Sequence, residues 1–186
     1  MKERILLEKK QLLITIDRLC HQLIEKHGNF KQVAIVGMQP RGVFFSRRIL
    51  ARLIELTGVQ DIQYGELDIA FYRDDYRRGN EQITPSELKI NFSTSNQTVV
   101  LIDDVLFTGR TIRAALDAIT DFGRPSKVEL MVLVDRQHSR DLPIQADYTG
   151  IVVDSRSNDK VKVEWKESHK KDTVYITKRL KLLNQA

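Results

Sequence analysis

Apolar residues recur at spacings of three and four between residues 3 and 27, at Ile5, Leu6, Leu12, Leu13, Ile16, Leu19, Cys20, Leu23 and Ile24. That period predicts one amphipathic helix, closed near Gly28. Val33-Ala34-Ile35-Val36 is a short apolar run ending at Gly37, the pattern of a strand buried on both faces. Helical spacing returns over residues 43–56, through Val43, Phe44, Ile49, Leu50, Leu53, Ile54 and Leu56. Val99-Val100-Leu101-Ile102 predicts a second buried strand, residues 110–121 a helix with Ile112, Ala115, Leu116 and Ile119 on one face, and residues 127–134 a third strand. Strand, helix and strand in this order imply parallel pairing with right-handed crossovers, hence an α/β sheet flanked by helices. Residues 148–153, 161–165 and 173–176 predict short strands, read as antiparallel additions at an edge. Residues 74–96 are polar, carry Gly79 and Pro85, and lack a pattern, which suits a functional lid.

Composition narrows the class without identifying a chemistry. The chain has 186 residues, 41% hydrophobic and 30% charged, with no repeat or low-complexity tract, so a single globular domain is expected. No apolar run approaches the roughly 20 residues of a membrane span, and the mixed charges of Met1-Lys2-Glu3-Arg4 do not read as a secretory signal. The lone Cys20 excludes an internal disulfide, suits a reducing cytoplasm, and reads as a packed thiol on a helix. A net charge of +5 permits a polyanionic ligand but does not demand one.

The chemistry concentrates in residues 103–111, Asp103-Asp104-Val105-Leu106-Phe107-Thr108-Gly109-Arg110-Thr111, which join a predicted strand to a predicted helix. In open α/β sheets ligands gather at the carboxyl ends of the strands. The helix start offers unpaired N–H groups and partial positive charge to a phosphate. Gly109 permits close backbone approach, Thr108 and Thr111 supply hydroxyls, and Arg110 adds charge. Asp103 and Asp104 repel phosphate and suit instead the vicinal hydroxyls of a ribose, or a metal. The whole describes a phosphorylated sugar. Neither a Walker A loop nor a Gly-x-Gly-x-x-Gly motif occurs in the chain. A capped helix after a strand is the bland alternative, and a lone Asp-Asp or Thr-Gly would favour it.

These residues resemble the signature for 5-phosphoribosyl-1-pyrophosphate (PRPP) of the type I phosphoribosyltransferases. Residues 133–144, Leu-Val-Asp-Arg-Gln-His-Ser-Arg-Asp-Leu-Pro-Ile, with Ala146-Asp147-Tyr148, are similar to the PyrR family. Asp68-Ile69-Ala70-Phe71-Tyr72-Arg73-Asp74-Asp75 and Gly123-Arg124-Pro125-Ser126 match the same family, so the likeness covers nearly the whole chain. The resemblance implies a type I phosphoribosyltransferase fold: a central parallel sheet, a small hood over about residues 135–165, and a flexible lid over about 73–96. It implies an enzyme that makes UMP and pyrophosphate from uracil and PRPP with Mg²⁺, and that regulates pyrimidine genes through an mRNA leader as a homodimer or larger homo-oligomer. Residues 103–111 would then hold ribose and 5-phosphate. The magnesium would ride on PRPP and water, with no firm protein ligand and Asp103 and Asp104 as the candidate ones. Gly37-Met38-Gln39-Pro40-Arg41-Gly42 matches the pyrophosphate loop, with Pro40 where the family usually has Thr, which removes a backbone donor. Arg41 and Arg73 would contact pyrophosphate, while Val134 and Arg136 begin the uracil-binding hood.

Phe107 bears on the base. Related purine enzymes usually carry Asp at the matching position, where it exchanges a proton with the purine ring; phenylalanine can neither donate nor accept one. The RNA surface implied by the family draws on Arg18, His21 and Lys26 of the first helix and Arg156 and Lys160 of a late loop. Asp17 and Ser157 stand where the family usually has Thr and Lys. Two alternatives stay open on the sequence: an attenuator that senses PRPP or UMP without turnover, and a purine phosphoribosyltransferase.

Overall fold

The computed structural model describes residues 2–72, 90–155 and 159–178. The three apolar runs become the middle of a five-stranded sheet: β2 (Val33–Met38), β4 (Thr98–Leu106) and β5 (Lys127–Gln137). Flanked by β3 (Gln63–Leu67) and β6 (Tyr148–Asp154), they take the order β3-β2-β4-β5-β6 with every pairing parallel. Successive side chains of a strand point to opposite faces, and here both faces are covered. Val100 and Ile102 join Ile35, Met131 and Leu133 beneath α1 (Lys9–His27) and α2 (Gly42–Thr57). Val99 and Leu101 join Val36, Leu130 and Val132 beneath α3 (Arg110–Ile119). No helix among the described residues is long and apolar enough to cross a membrane.

Two expectations from the pattern are corrected. Residues Lys2–Leu7 form a strand, β1, rather than the first turns of the helix. It pairs antiparallel with β8 (Thr173–Lys178), Ile5 facing Tyr175 and Leu7 facing Val174. Backbone pairing with a distant strand overrides a period that a short apolar run cannot decide alone. The helix begins only after Glu8, whose N–H donates to the Gln11 side chain at 2.9 Å. The late strands are not antiparallel edge additions either. β6 is the parallel edge strand of the main sheet, whereas β7 (Lys160–Glu164) and β8 form a separate antiparallel sheet of order β1-β8-β7. The strand β3, with its mixed polarity, had no apolar run to announce it.

The smaller sheet is fastened to the larger body through α2. Val161, Val174, Ile176 and Trp165 enter the α1–α2 core, and the Trp165 ring stacks on Phe45 at 6.2 Å. The Arg48 guanidinium carbon also lies 4.6 Å from the indole ring centroid, and an Nη donates to Glu167 and Asp172, each at 2.8 Å. A planar cation between a π-face and two carboxylates suits arginine and not lysine.

At the amino end of β5, Glu129 is fully buried and collects cationic and hydroxyl donors. Lys26 and Lys127 lie 2.9 and 2.8 Å from one oxygen. His27 lies 2.9 Å from the other, and Tyr148 donates to it at 2.6 Å. Burial pushes the Glu129 carboxyl up, but the bonds from Lys127, Tyr148, Lys26 and His27 outweigh it and leave it at about 2. A carboxyl held lower folded than unfolded stabilises above its unfolded value, near 4.5, and that stabilisation is lost as pH falls towards about 2.

The carboxyl ends of β2 and β4 lie side by side, Gly37 pairing with Ile102. At the start of α2, a Cβ on Gly42 would stand 2.4 Å from the Ile102 carbonyl oxygen and 3.0 Å from the Asp103 Cα. Those are backbone atoms of the central strand, so they cannot move aside. Two expected outcomes follow. Glu129→Gln lowers unfolding free energy at pH 7 by about 2 kcal/mol, and urea titrations show the difference closing between about pH 4.5 and 2. Gly42→Ala lowers stability by about 2–3 kcal/mol, read by the same titration at neutral pH.

Candidate functional site

Two strand-to-helix loops meet where β2 and β4 end. The first runs over residues 39–41 into α2. Its Gln39 N–H donates to the Leu67 carbonyl at 2.9 Å, which ties the loop to β3. Pro40 and Arg41 are exposed at its tip, and the Gln39–Pro40 peptide is cis. Behind it, the Ser46 hydroxyl stands 3.0 Å from the Tyr64 hydroxyl, and Arg47 Nε donates to Glu66 at 2.8 Å, bracing α2 against β3.

The second loop begins inside β4. Asp103 and Asp104 are 8% and 5% exposed, two adjacent carboxyls that follow the apolar run Val99-Val100-Leu101-Ile102. The Asp104 N–H donates to Asp103 Oδ1 at 2.9 Å. Burial and the Asp104 charge push the Asp103 carboxyl up, with Arg41 pulling it back. Burial likewise raises Asp104, again opposed by Arg41. The pair therefore retains a proton more readily than two surface aspartates. Asp104 Oδ2 is buried and has no hydrogen-bond partner among the described residues. A buried carboxylate oxygen without a protein donor retains the capacity to accept a hydrogen bond.

The residues that follow serve through different atoms. Leu106 turns into the α3 core, and Val105 packs against the opposite cluster, so these two offer a ligand only backbone. Gly109 takes φ +90° immediately before α3, a left-handed conformation that favours glycine. The N–H groups in the first turn of α3 have no carbonyl of their own helix to donate to, and that of Arg110 donates to the Thr108 hydroxyl at 3.4 Å. Arg110 donates through Nε to Asp141 at 3.0 Å.

Across this loop lies the segment after β5. The N–H groups of Asp141 and Leu142 both donate to the Thr108 carbonyl, at 3.0 and 3.2 Å, and Ile144 stands beside Gly109. Arg136, 5% exposed, lays its guanidinium carbon 3.8 Å from the centroid of the Phe107 ring. It also donates to the Ser155 hydroxyl at 2.8 Å and the Asp159 carbonyl at 2.9 Å. Val134 is fully buried in the α1–α2 core, so its side chain serves packing.

The structure thus brings Pro40, Arg41, Asp103, Asp104 and the loop through Thr111 to one end of the sheet, with Arg136 alongside. Arg73 and Arg156, with most of the expected lid, lie outside the described residues. The remaining basic residues occupy other elements. Arg18 donates to the Gly150 and Thr149 carbonyls of β6 at 2.5 and 3.2 Å, and Lys26 is paired with Glu129. His21 is exposed on α1, and Lys160 is exposed at the start of β7 in the smaller sheet. Asp17 accepts from Arg52 Nε at 2.6 Å. Ser155 and Asp159 were missed from sequence, because their role depends on where β6 and β7 set them under Arg136.

A family model described as phosphoribosyl transferase domain matches residues 4–171. A bifunctional protein PyrR from Elusimicrobium minutum is 42% identical over 174 residues, covering 94% of this chain and 96% of the relative. Another from Actinobacillus succinogenes is 49% identical over 164 residues, covering 87% and 90%. Among solved structures, a hypoxanthine phosphoribosyltransferase from Staphylococcus aureus superposes with a TM-score of 0.69 at 20% identity, covering 95% of this chain and 92% of its own. One from Trypanosoma cruzi gives 0.70 at 14% identity, covering 93% and 95%; at such identities these two bear on the fold alone. With the buried carboxylate pair and the left-handed turn into α3 at the same end of a parallel sheet, the chain belongs to the phosphoribosyltransferases and, among them, to the PyrR family.

Proposed function

We propose that the chain is a uracil phosphoribosyltransferase, forming UMP and pyrophosphate from uracil and PRPP. The observation that carries this reading is the buried Asp104 Oδ2 beside Asp103, without a hydrogen-bond partner among the described residues, at the foot of a loop that leads into the start of α3. The carboxylate pair accepts from the ribose 2′- and 3′-hydroxyls, while the turn over residues 107–111 and the start of α3 take the 5-phosphate. Arg41, whose charge opposes the rise of both carboxyls, would meet pyrophosphate oxygens in bidentate fashion. The N1–C1′ bond forms as the C1′–oxygen bond to pyrophosphate breaks, and the N1 proton leaves. Orientation of the two reactants and neutralisation of the departing charge supply the rate.

Among the described residues no group of three or more His, Cys, Asp or Glu converges to hold a metal ion. Mg²⁺ carried chiefly by PRPP oxygens and water needs few protein ligands, and the buried carboxyls of Asp103 and Asp104 are oxygen donors that would suit it. When bound, the ion would neutralise pyrophosphate charge. Phe107 supports a pyrimidine: its ring lies under Arg136 and presents no group that could exchange a proton with a purine.

A second activity, UMP-responsive RNA binding, is favoured by the name bifunctional protein that the relatives carry. Its phosphate contacts would come from exposed His21 and Lys160, together with the outer surfaces of Arg18 and Lys26. Radiolabelled bases incubated with PRPP and Mg²⁺ test the first reading. Nucleotide is expected from uracil, none from hypoxanthine, and none from uracil once EDTA is added; product from hypoxanthine with none from uracil overturns it. For the second, a UMP-dependent gel shift of a pyrimidine-operon leader RNA is expected to weaken as salt rises and when His21 and Lys160 become Ala; no shift at low salt overturns it.

A further inference from the structure

We propose that Arg140 is a positioning residue for the transfer reaction, holding the base-side wall in register with the ribose-phosphate loop by gripping the Phe107 and Arg136 carbonyls. Its Nη1 donates to Phe107 O at 2.6 Å and Arg136 O at 2.9 Å, with Leu106 O at 3.4 Å. Its Nε donates to Ile144 O at 3.0 Å, and Nη2 donates to the Asp135 carboxylate. One guanidinium thus joins the end of β4, the end of β5 and the segment that crosses between them. Phe107 is held twice, by its carbonyl on Arg140 and by its ring under Arg136.

The site already described has two halves on different strands. Residues 103–111 extend from β4, whereas Arg136 extends from β5, and the ladder between those strands ends at Leu106 and Asp135. Beyond that point the next backbone bonds between the two halves are those from the Asp141 and Leu142 N–H groups to the Thr108 carbonyl, which leave the carbonyls of Phe107 and Arg136 to be held by a side chain. Arg140 takes over where the ladder stops, and its planar fork of donors fits acceptors that diverge in three directions. An exposed loop arginine would hold none of this, but the Arg140 side chain is only 22% exposed. A lysine at the same place carries the charge without the fork.

The proposal rests on the reading that base and PRPP meet in this site. Its test uses the full-length protein and the variants Arg140→Lys and Arg140→Met, titrated calorimetrically with PRPP and Mg²⁺ and assayed at saturating base and PRPP. The PRPP dissociation constant is expected to stay within about twofold of wild type, while kcat falls on the order of 100-fold, the effect of misplacing a reacting centre by about an ångström. Lysine is expected to do no better than methionine. An unchanged kcat in variants that melt as folded proteins makes Arg140 purely structural and overturns the proposal. Loss of PRPP affinity by the same factor as turnover also overturns it, as does rescue by lysine. Where the Arg140 variants fold poorly, Asp135→Asn weakens one charge-assisted bond and is expected to lower kcat about tenfold with PRPP affinity kept; an unchanged kcat there overturns the proposal. The base panel on wild type runs alongside, and the split is read with whichever base it turns over. If it turns over none, the uracil reading fails alone, and the Arg140 proposal is read from UMP binding, expected to fall at least about tenfold in the variants.

Discussion

Two carboxyl groups buried side by side at the end of the central strand set the terms for the rest of this structure. A carboxylate in an apolar interior is unfavourable unless it is hydrogen-bonded or paired, and two adjacent ones repel as well. The Asp103–Asp104 pair meets that demand partly, through the Asp104 N–H and the nearby charge of Arg41, and leaves Asp104 Oδ2 without a donor among the described residues. A site so arranged persists only on a rigid support. β4 supplies it: the strand is paired on both edges and covered on both faces by residues with no exposure. The incomplete hydrogen bonding and the completeness of the packing belong together, since a looser sheet would let water reach the carboxyls and relax them.

The same constraint explains why the neighbouring elements approach so closely. Gly42 brings the start of α2 onto the backbone at Ile102 and Asp103, within reach of the Asp103 carboxyl, so the loop before α2 and the loop after β4 meet closely. The segment over residues 140–144 presses on the outer side of the second loop through the Thr108 carbonyl and the space beside Gly109. Farther off, Arg48 against Trp165 and Glu129 among its lysines act at a distance from the chemistry. They hold the smaller sheet and the first helix in place.

What the amino-acid pattern made legible follows from burial. β2, β4 and β5 are covered on both faces and so read as unbroken apolar runs, and α2 and α3 show one apolar stripe each. β1 and β3 were not legible, because Arg4-Ile5-Leu6-Leu7 fits either period and Gln63-Tyr64-Gly65-Glu66-Leu67 has no apolar run. Their identity as strands is decided by the partner edge each meets. The site divides in the same way. Residues 103–111 are contiguous, and their chemistry is written in order along the chain. Arg140, Ser155 and Asp159 act on carbonyls or through a guanidinium whose positions come only from the assembled sheet, so no spacing announces them.

The charges on the first helix show how a surface can change its meaning once folded. Read along the chain, Asp17 is an acid in a basic stretch and unfavourable to a polyanion. In the fold it lies 2.6 Å from Arg52, which also reaches Glu55 at 2.7 Å, so its charge is already opposed from α2. Arg18 and Lys26, which looked like free cations, hold β6 carbonyls and Glu129 respectively. Pairing does not abolish their charge, and at the exposed end of each side chain the field extends into solvent over roughly a Debye length of 8–10 Å. The consequence is that the cationic character of this face is tied to the stability of the fold. A residue whose head is bonded to a strand carbonyl or a buried carboxylate cannot be exchanged for another cation on grounds of charge alone, because the helix loses its hold on β5 and β6 at the same time.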